Sequence, residues 1–268
     1  MDLWEVERER GHIAVEVSGA GPLLLCIPGM GESRASFRHL VPGLVRAGYR
    51  VAVMDLRGHG ESSATFTAYD DPAAASDALA IIDLLGGGPA TIIGNSMGAA
   101  AAVLAAAQRP PMVERLVLIG PFVRDHGNAA TRLLLRLLLM RPWGPTLWRA
   151  YYSSLFGQPR ALDHAAHTAR AIALLRRPGR WRAFQATTRT SHAPAEAALA
   201  TVSADTLVIM GEKDRDFPDP AAEAEWVANA LHGEHRMVVG AGHYPMGEQP
   251  QAVLDMILPF LRSGENHG

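Results

Sequence analysis

Between Thr91 and Ala101 the chain reads Thr-Ile-Ile-Gly-Asn-Ser-Met-Gly-Ala-Ala-Ala, and few stretches restrict a fold as tightly. The β-branched residues favour a strand and the alanines a helix. The passage from one to the other must be a sharp turn with Ser96 at its apex. Gly94 and Gly98 are then steric necessities, because bulky neighbours two positions from the serine would clash across such an elbow. The helix N-terminus behind Ser96 offers unpaired N–H groups and a positive dipole end, both suited to a developing oxyanion. Ser96 is therefore a candidate nucleophile, and the rest of the chain is read for what positions, activates or covers it.

Strand-to-helix passages recur on both sides of the elbow. Residues 6–18 alternate with period two across Gly11, as a β-hairpin does. Residues 23–27 form a continuous apolar run, consistent with a strand buried on both faces, and end at Pro28-Gly29-Met30-Gly31. Helical spacing of Phe37, Leu40 and Leu44 predicts a helix over 33–47, kinked at Pro42. A strand at 51–54 follows, then a helix over 71–85 opened by Asp71-Pro72 and stopped by Gly86-Gly87-Gly88-Pro89, then a strand at 115–119. This alternation predicts an α/β architecture with a mostly parallel central sheet flanked by helices.

After Pro121 the rhythm fails. Only helical stretches appear, over 129–140, 145–156, 160–176 and 180–190, punctuated by Pro142, Gly144, Gly157-Gln158-Pro159 and Pro178-Gly179. Strand and helix then return at 206–210, 220–231, 235–239 and 249–261. Residues 1–121 and 194–268 are thus expected to form the core, with 122–193 inserted as an all-helical cap. The end, 263–268, reads as disordered.

Composition narrows the class. Apolar residues make up 48 % of the 268, ample for a buried core. The single Cys26 excludes an internal disulfide and reads as a small core residue. The first residues lack the basic and apolar regions of a secretory signal, and no run of about 18 apolar residues exists to span a membrane. A cytoplasmic location is the expectation. Residues 122–193 hold twelve arginines against Asp125 and Asp163, a net of +10; with −2 for the chain, the remainder carries −12. A solvated face usually mixes signs, so this asymmetry implies attraction of an anionic partner: a carboxylated substrate, a carrier protein or an acidic membrane surface. Nucleic acid fits poorly, since the acidic remainder would repel it and no recognition motif is present. Oligomeric state is left open.

A serine hydroxyl needs a base, itself oriented by a third group. In a parallel sheet, ligands bind at the carboxyl ends of strands, which selects two loops. One is Gly211-Glu212-Lys213-Asp214-Arg215-Asp216-Phe217-Pro218; the other is Gly240-Ala241-Gly242-His243-Tyr244-Pro245. His243 is the candidate base and Asp214 its partner, with Asp216 the second choice. The backbone N–H groups of Met97 and Met30 are candidate oxyanion donors. Gly29, Asn95, Leu134, Leu138, Trp143, Trp148 and Tyr244 are candidates to line a substrate pocket. Residues 133–140 are nearly all apolar, with Arg132 and Arg136 one turn apart on one face. They would bury leucines against the core, line an acyl or aromatic site, or dip into lipid. Asp163, His164 and His167 are read as structural residues on a solvated helix, not a metal site. No metal or organic cofactor is expected.

Four segments in order, each after an expected strand, carry a resemblance: Gly94-Asn95-Ser96-Met97-Gly98, Asp55-Leu56-Arg57-Gly58-His59-Gly60-Glu61-Ser62, the Asp214 loop with Pro218, and Gly242-His243. The chain resembles the serine hydrolases of the α/β-hydrolase fold over nearly its whole length, the cap excepted. Pro28-Gly29 stands where many members have His-Gly, which leaves the oxyanion donor intact. The resemblance implies that residues 57–62 shape the site, with His59 structural. It also implies that Ser96 replaces the aspartate nucleophile of the dehalogenases and epoxide hydrolases, disfavouring those activities. The implied function is hydrolysis of a carboxylic ester or related acyl bond of a small molecule through an acyl-enzyme on Ser96. The elbow is also similar to that of meta-cleavage carbon–carbon bond hydrolases, and thioesterases, perhydrolases and acyltransferases use the same residues. A non-catalytic receptor on a hydrolase scaffold is the alternative from another class.

Overall fold

The computed structural model describes residues 2–86, 88–127, 129–158 and 160–263; the tail expected beyond Ser263 lies outside the described residues. Eight strands form one sheet: β1 (Asp2–Arg8), β2 (Gly11–Ser18), β3 (Leu23–Ile27), β4 (Arg50–Met54), β5 (Ala90–Asn95), β6 (Val113–Ile119), β7 (Asp205–Gly211) and β8 (Glu234–Val238). Their spatial order is β1-β2-β4-β3-β5-β6-β7-β8. β1 and β2 pair antiparallel, as do β2 and β4, and every other neighbouring pair is parallel. Chain order reverses around β3, whose neighbours β4 and β5 follow it in opposite directions across the sheet. The loops after β3 and β5 therefore open onto the crevice where α/β sheets bind ligands.

The helices are α1 (Val41–Arg46), α2 (Asp71–Leu85), α3 (Met97–Gln108), α4 (Ala129–Leu138), α5 (Gly144–Ser154), α6 (His164–Arg176), α7 (Arg180–Thr187), α8 (Ala193–Ala198), α9 (Pro220–Ala230), α10 (Pro245–Glu248) and α11 (Pro250–Ser263). The strands' side-chain period of two divides the core between the sheet's faces. Leu25, Ile27, Ile92, Leu116 and Val208 pack with α2, α3 and α9, whereas Leu24, Cys26, Ile93, Val117 and Leu207 pack with α1 and α11. Each fully buried Leu or Ile contributes about 1.5–3 kcal/mol. Helix α3 is buried along almost its whole length, and its alanines let it lie close to both the sheet and α2. Asp70 and Asp219 cap α2 and α9 by accepting the N–H groups of Ala73 and Ala222, each at 3.0 Å.

Two expectations are corrected. The helix over 33–47 is instead a 3₁₀ turn, Arg34–Phe37, followed by α1. Pro42 lies in the first turn of α1, where its missing N–H is tolerated, so it starts a helix and does not kink one. Residues 193–198 form α8, which packs on α2 and α3. Helices α4–α8 all lie between β6 and β7, so an all-helical insertion interrupts the sheet. No helix among the described residues is long and apolar enough to cross a membrane.

Candidate active site

Ser96 sits between β5 and α3 with φ 55° and ψ −122°, a conformation that side-chain-bearing residues rarely adopt and that the surroundings must enforce. A Cβ on Gly94 would strike the backbone of Gly98, and one on Gly98 the carbonyl of Ile27. The loop after β3 comes equally close, since a Cβ on Gly29 would stand 2.8 Å from that of Ser96. Ser96 N–H donates to the Ile119 carbonyl (3.0 Å), tying the elbow to the end of β6. Met97 opens α3, where N–H groups have no intrahelical acceptor. The N–H groups of Met30 and Met97 carry no hydrogen bond among the described residues.

The loop 28–33 is braced by the turn after β4. Gly31 N–H donates to His59 Nε2 (3.0 Å), so that nitrogen is bare and Nδ1 carries the proton, donated to the Arg57 carbonyl (3.0 Å). Burial pushes His59 down to about 4, which keeps the ring in the neutral form that can accept. Asp55 accepts the N–H groups of Arg34 (2.7 Å) and Glu61 (2.9 Å) and pairs with the Arg34 guanidinium; Ser62 Oγ donates to the Asp55 carbonyl (2.7 Å). Residues 55–62 therefore brace the loop that carries Met30, and His59 meets it at Gly31.

The loops after β7 and β8 meet at the same sheet edge. His243 Nδ1 lies 2.7 Å from Asp214 Oδ2 and 3.6 Å from Asp216 Oδ2. Asp216 N–H in turn donates to Asp214 Oδ1 (3.0 Å). The Asn95 amide donates to the carbonyls of Ile119 (3.0 Å) and His243 (3.3 Å), which sets the histidine loop against the elbow. Burial would lower the His243 pKa, but the Asp214 and Asp216 carboxylates outweigh it and raise the imidazole to about 9. Burial, together with the Asp214 charge, raises Asp216 against the opposing pull of His243 and Tyr151. Gly120, at φ 52°, keeps space open here, as a Cβ would lie 3.1 Å from His243 Nδ1. Among the described residues the one set of side chains able to share a cation is Asp214, Asp216 and His243. The same atoms make the charge-assisted bond that orients the imidazole.

Three contributors carry no sequence motif. Glu248 accepts from the N–H groups of Gly157 (2.6 Å), Gly242 (3.1 Å) and Tyr244 (3.2 Å), clamping both sides of His243 to the insertion. The His243 N–H itself donates to the Leu155 carbonyl (2.8 Å). Glu32, two residues past Met30, accepts from Tyr152 Oη on α5 and has His167 Nε2 of α6 at 3.3 Å. Tyr151, also on α5, donates its hydroxyl to Asp216. For Glu32 and Glu248 the only signal was an acid within five residues of an expected site residue.

The expected pocket residues divide. Gly29 and Tyr244 are at the site, and the Trp148 ring packs over Gly31, where a Cβ would meet its Cζ2 at 2.6 Å. Asn95 is wholly buried and fastens loops, with no open space to line. Leu134, Leu138 and Trp143 are 55 %, 43 % and 49 % exposed, because α4 turns its apolar face outward and does not bury it against the core. The helix bearing Asp163, His164 and His167 is not simply solvated either. Both histidines are buried, and Asp163 holds Arg38 through paired contacts of 2.7 Å to Nε and Nη2.

This fold recurs in known proteins. A model of the alpha/beta hydrolase family matches residues 24–256, and the chain belongs to that family. A Pseudomonas sp. 2-hydroxy-6-oxononadienedioate/2-hydroxy-6-oxononatrienedioate hydrolase is 29 % identical over 264 residues, covering 94 % of this chain and 92 % of the relative. Among solved structures, a thermophilic esterase from Thermogutta terrifontis, with malate bound, matches with a TM-score of 0.83 at 23 % identity, over 98 % of this chain and 99 % of its own. A hydrolase from Pseudomonas aeruginosa matches with a TM-score of 0.81 at 27 % identity, over 97 % and 98 %. The resemblance drawn from the motifs is borne out for family and fold.

Proposed function

We infer that the protein is a serine hydrolase acting on a carboxylic ester or related acyl bond of a small molecule. The observation that carries this reading is the strained Ser96 elbow, tied through the Asn95 amide to the loop of a histidine that the buried Asp214 carboxylate holds at 2.7 Å. Ser96 Oγ attacks the acyl carbon while His243 Nε2 takes its proton. Asp214 holds Nδ1–H and stabilises the imidazolium, and the Met30 and Met97 N–H groups receive the oxyanion. His243 returns the proton to the leaving group, and water then clears the acyl-enzyme. The 122–193 insertion serves as a cap, since its α5 and α6 hold the loops of Met30, Asp216 and His243.

A fluorophosphonate probe read by intact mass tests nucleophile, activation and access together. One adduct per chain, lost in Ser96→Ala along with turnover of a p-nitrophenyl ester, is the expected result. Full ester turnover by Ser96→Ala removes the assignment. A second reading, carbon–carbon bond hydrolysis of the meta-cleavage type, is favoured by the Pseudomonas relative that matches nearly the full length of both chains. Cleavage of a vinylogous diketone without any ester turnover or acyl-enzyme selects it.

A further inference from the structure

The insertion carries an apolar surface that nothing in the proposed chemistry uses. At 100° per residue, Leu133, Leu134, Leu137 and Leu138 share one face of α4, and each is 43 % exposed or more. The stripe continues through Trp143, which caps α5, and Leu147 and Tyr151 on α5, all exposed, and Tyr151 ends it with its hydroxyl on Asp216 beside His243. Exposed apolar patches of this extent mark a surface that something covers. At the C-terminal end of α4 a cavity of about 720 Å³ is lined by Met140, Trp181, Arg141, Arg176 and Arg182 among others. None of these three arginines, nor Arg136 or Arg149, forms an ion pair among the described residues.

We propose that α4 is an interfacial helix that docks the protein on an anionic lipid bilayer, with its leucines in the acyl layer and the arginine-lined cavity holding lipid phosphate. Charge selects this occupant. A second copy seated face to face would set Arg141, Arg176 and Arg182 of one chain against the same arginines of the other. An anionic bilayer supplies both the negative headgroups and an apolar layer deep enough for α4 and Trp143. Arginine stems lie along apolar surface while their heads reach phosphate, so Arg141, beside the stripe and lining the cavity, suits the boundary. The docking is independent of the Ser96 chemistry, because no residue of the acid–base pair or the elbow lies on this surface.

Sedimentation of the full chain with vesicles tests the proposal. Binding is expected to vesicles of phosphatidylcholine and phosphatidylglycerol and not to phosphatidylcholine alone, weakening as salt rises. The triple variant Arg141→Gln/Arg176→Gln/Arg182→Gln is expected to partition about 100-fold more weakly, at about fivefold per basic residue. Leu134→Ser/Leu138→Ser is expected to weaken binding with unchanged Tm, since both side chains are exposed, and Ser96→Ala to bind as the parent does. Failure of the parent chain to bind the anionic vesicles overturns the proposal. So does a concentration-dependent doubling of mass in sedimentation velocity that Leu134→Ser/Leu138→Ser abolishes, which would assign the face to a second copy. Full competition by free inorganic phosphate at matched ionic strength would assign the cavity to a soluble anion instead.

Discussion

At the scale of single residues the site is governed by two carboxylates sharing one imidazole. With Asp214 at 2.7 Å and Asp216 at 3.6 Å from Nδ1, His243 is held protonated up to about pH 9. A base must be neutral to accept the Ser96 proton, so kcat/KM is expected to fall as pH drops through the His243 pKa. Removing the Asp216 charge lowers that pKa, and the acid limb for Asp216→Asn should move to lower pH by about one unit. Asp214→Asn should instead abolish most turnover, by about 10⁴-fold, because the imidazole loses its orienting partner. A pH–rate profile of both variants separates the roles. An unmoved limb in Asp216→Asn would make that carboxylate a bystander to the titration.

At the scale of elements, the histidine loop is secured by a carboxylate outside any motif. Glu248 on α10 receives three backbone N–H groups, from Gly157, Gly242 and Tyr244, so it joins the base to the exit of α5. Burial raises its pKa, and the three donors pull it back. In Glu248→Gln an amide NH₂ must face donors, and the loss of charge-assisted bonds should cost about 2–3 kcal/mol of stability. A fall in kcat with KM held, beside the lowered Tm, is the expected signature of a displaced His243. Equal kcat would confine Glu248 to stability. Sequence carried the elements because period-two and helical patterns are local: β3, β5, β6 and β7, the elbow turn, and the meeting of the Asp214 and His243 loops were all readable. Glu32, Glu248 and the Tyr151–Asp216 contact were not, since each joins residues 65 or more positions apart. For helix α4 the sequence left burial, a site lining and a lipid contact open for a related reason. Its periodicity locates an apolar face, but a sequence does not say whether anything covers it.

At the scale of the whole molecule the site is covered. Ser96 is 5 % exposed and His243 1 %, so movement of the insertion is the expected route for a substrate to reach them. The insertion is tied to the core chiefly by side chains: Asp163 with Arg38 and His39, Arg180 with the carbonyls of His59 and Ser62, Arg177 with Glu61, and His192 with Asp71. Asp163 is the most open to test, since its carboxylate lies on the rim and touches none of the reacting groups. The Arg38 hydrogen bonds, with those of His39, hold its pKa below the usual carboxylate range, but both ion-pair partners are partly exposed and solvent screens the attraction. The tether is therefore worth only about 0.5–1 kcal/mol. If opening limits access to Ser96, Asp163→Asn raises the open population by about two- to fivefold. The pseudo-first-order rate of fluorophosphonate labelling should rise by that factor, while Ser96→Ala stays unlabelled. A labelling rate unchanged in Asp163→Asn, in a variant whose Tm has dropped by the expected few degrees, would place the moving contact elsewhere, with Arg180 the next tether to cut.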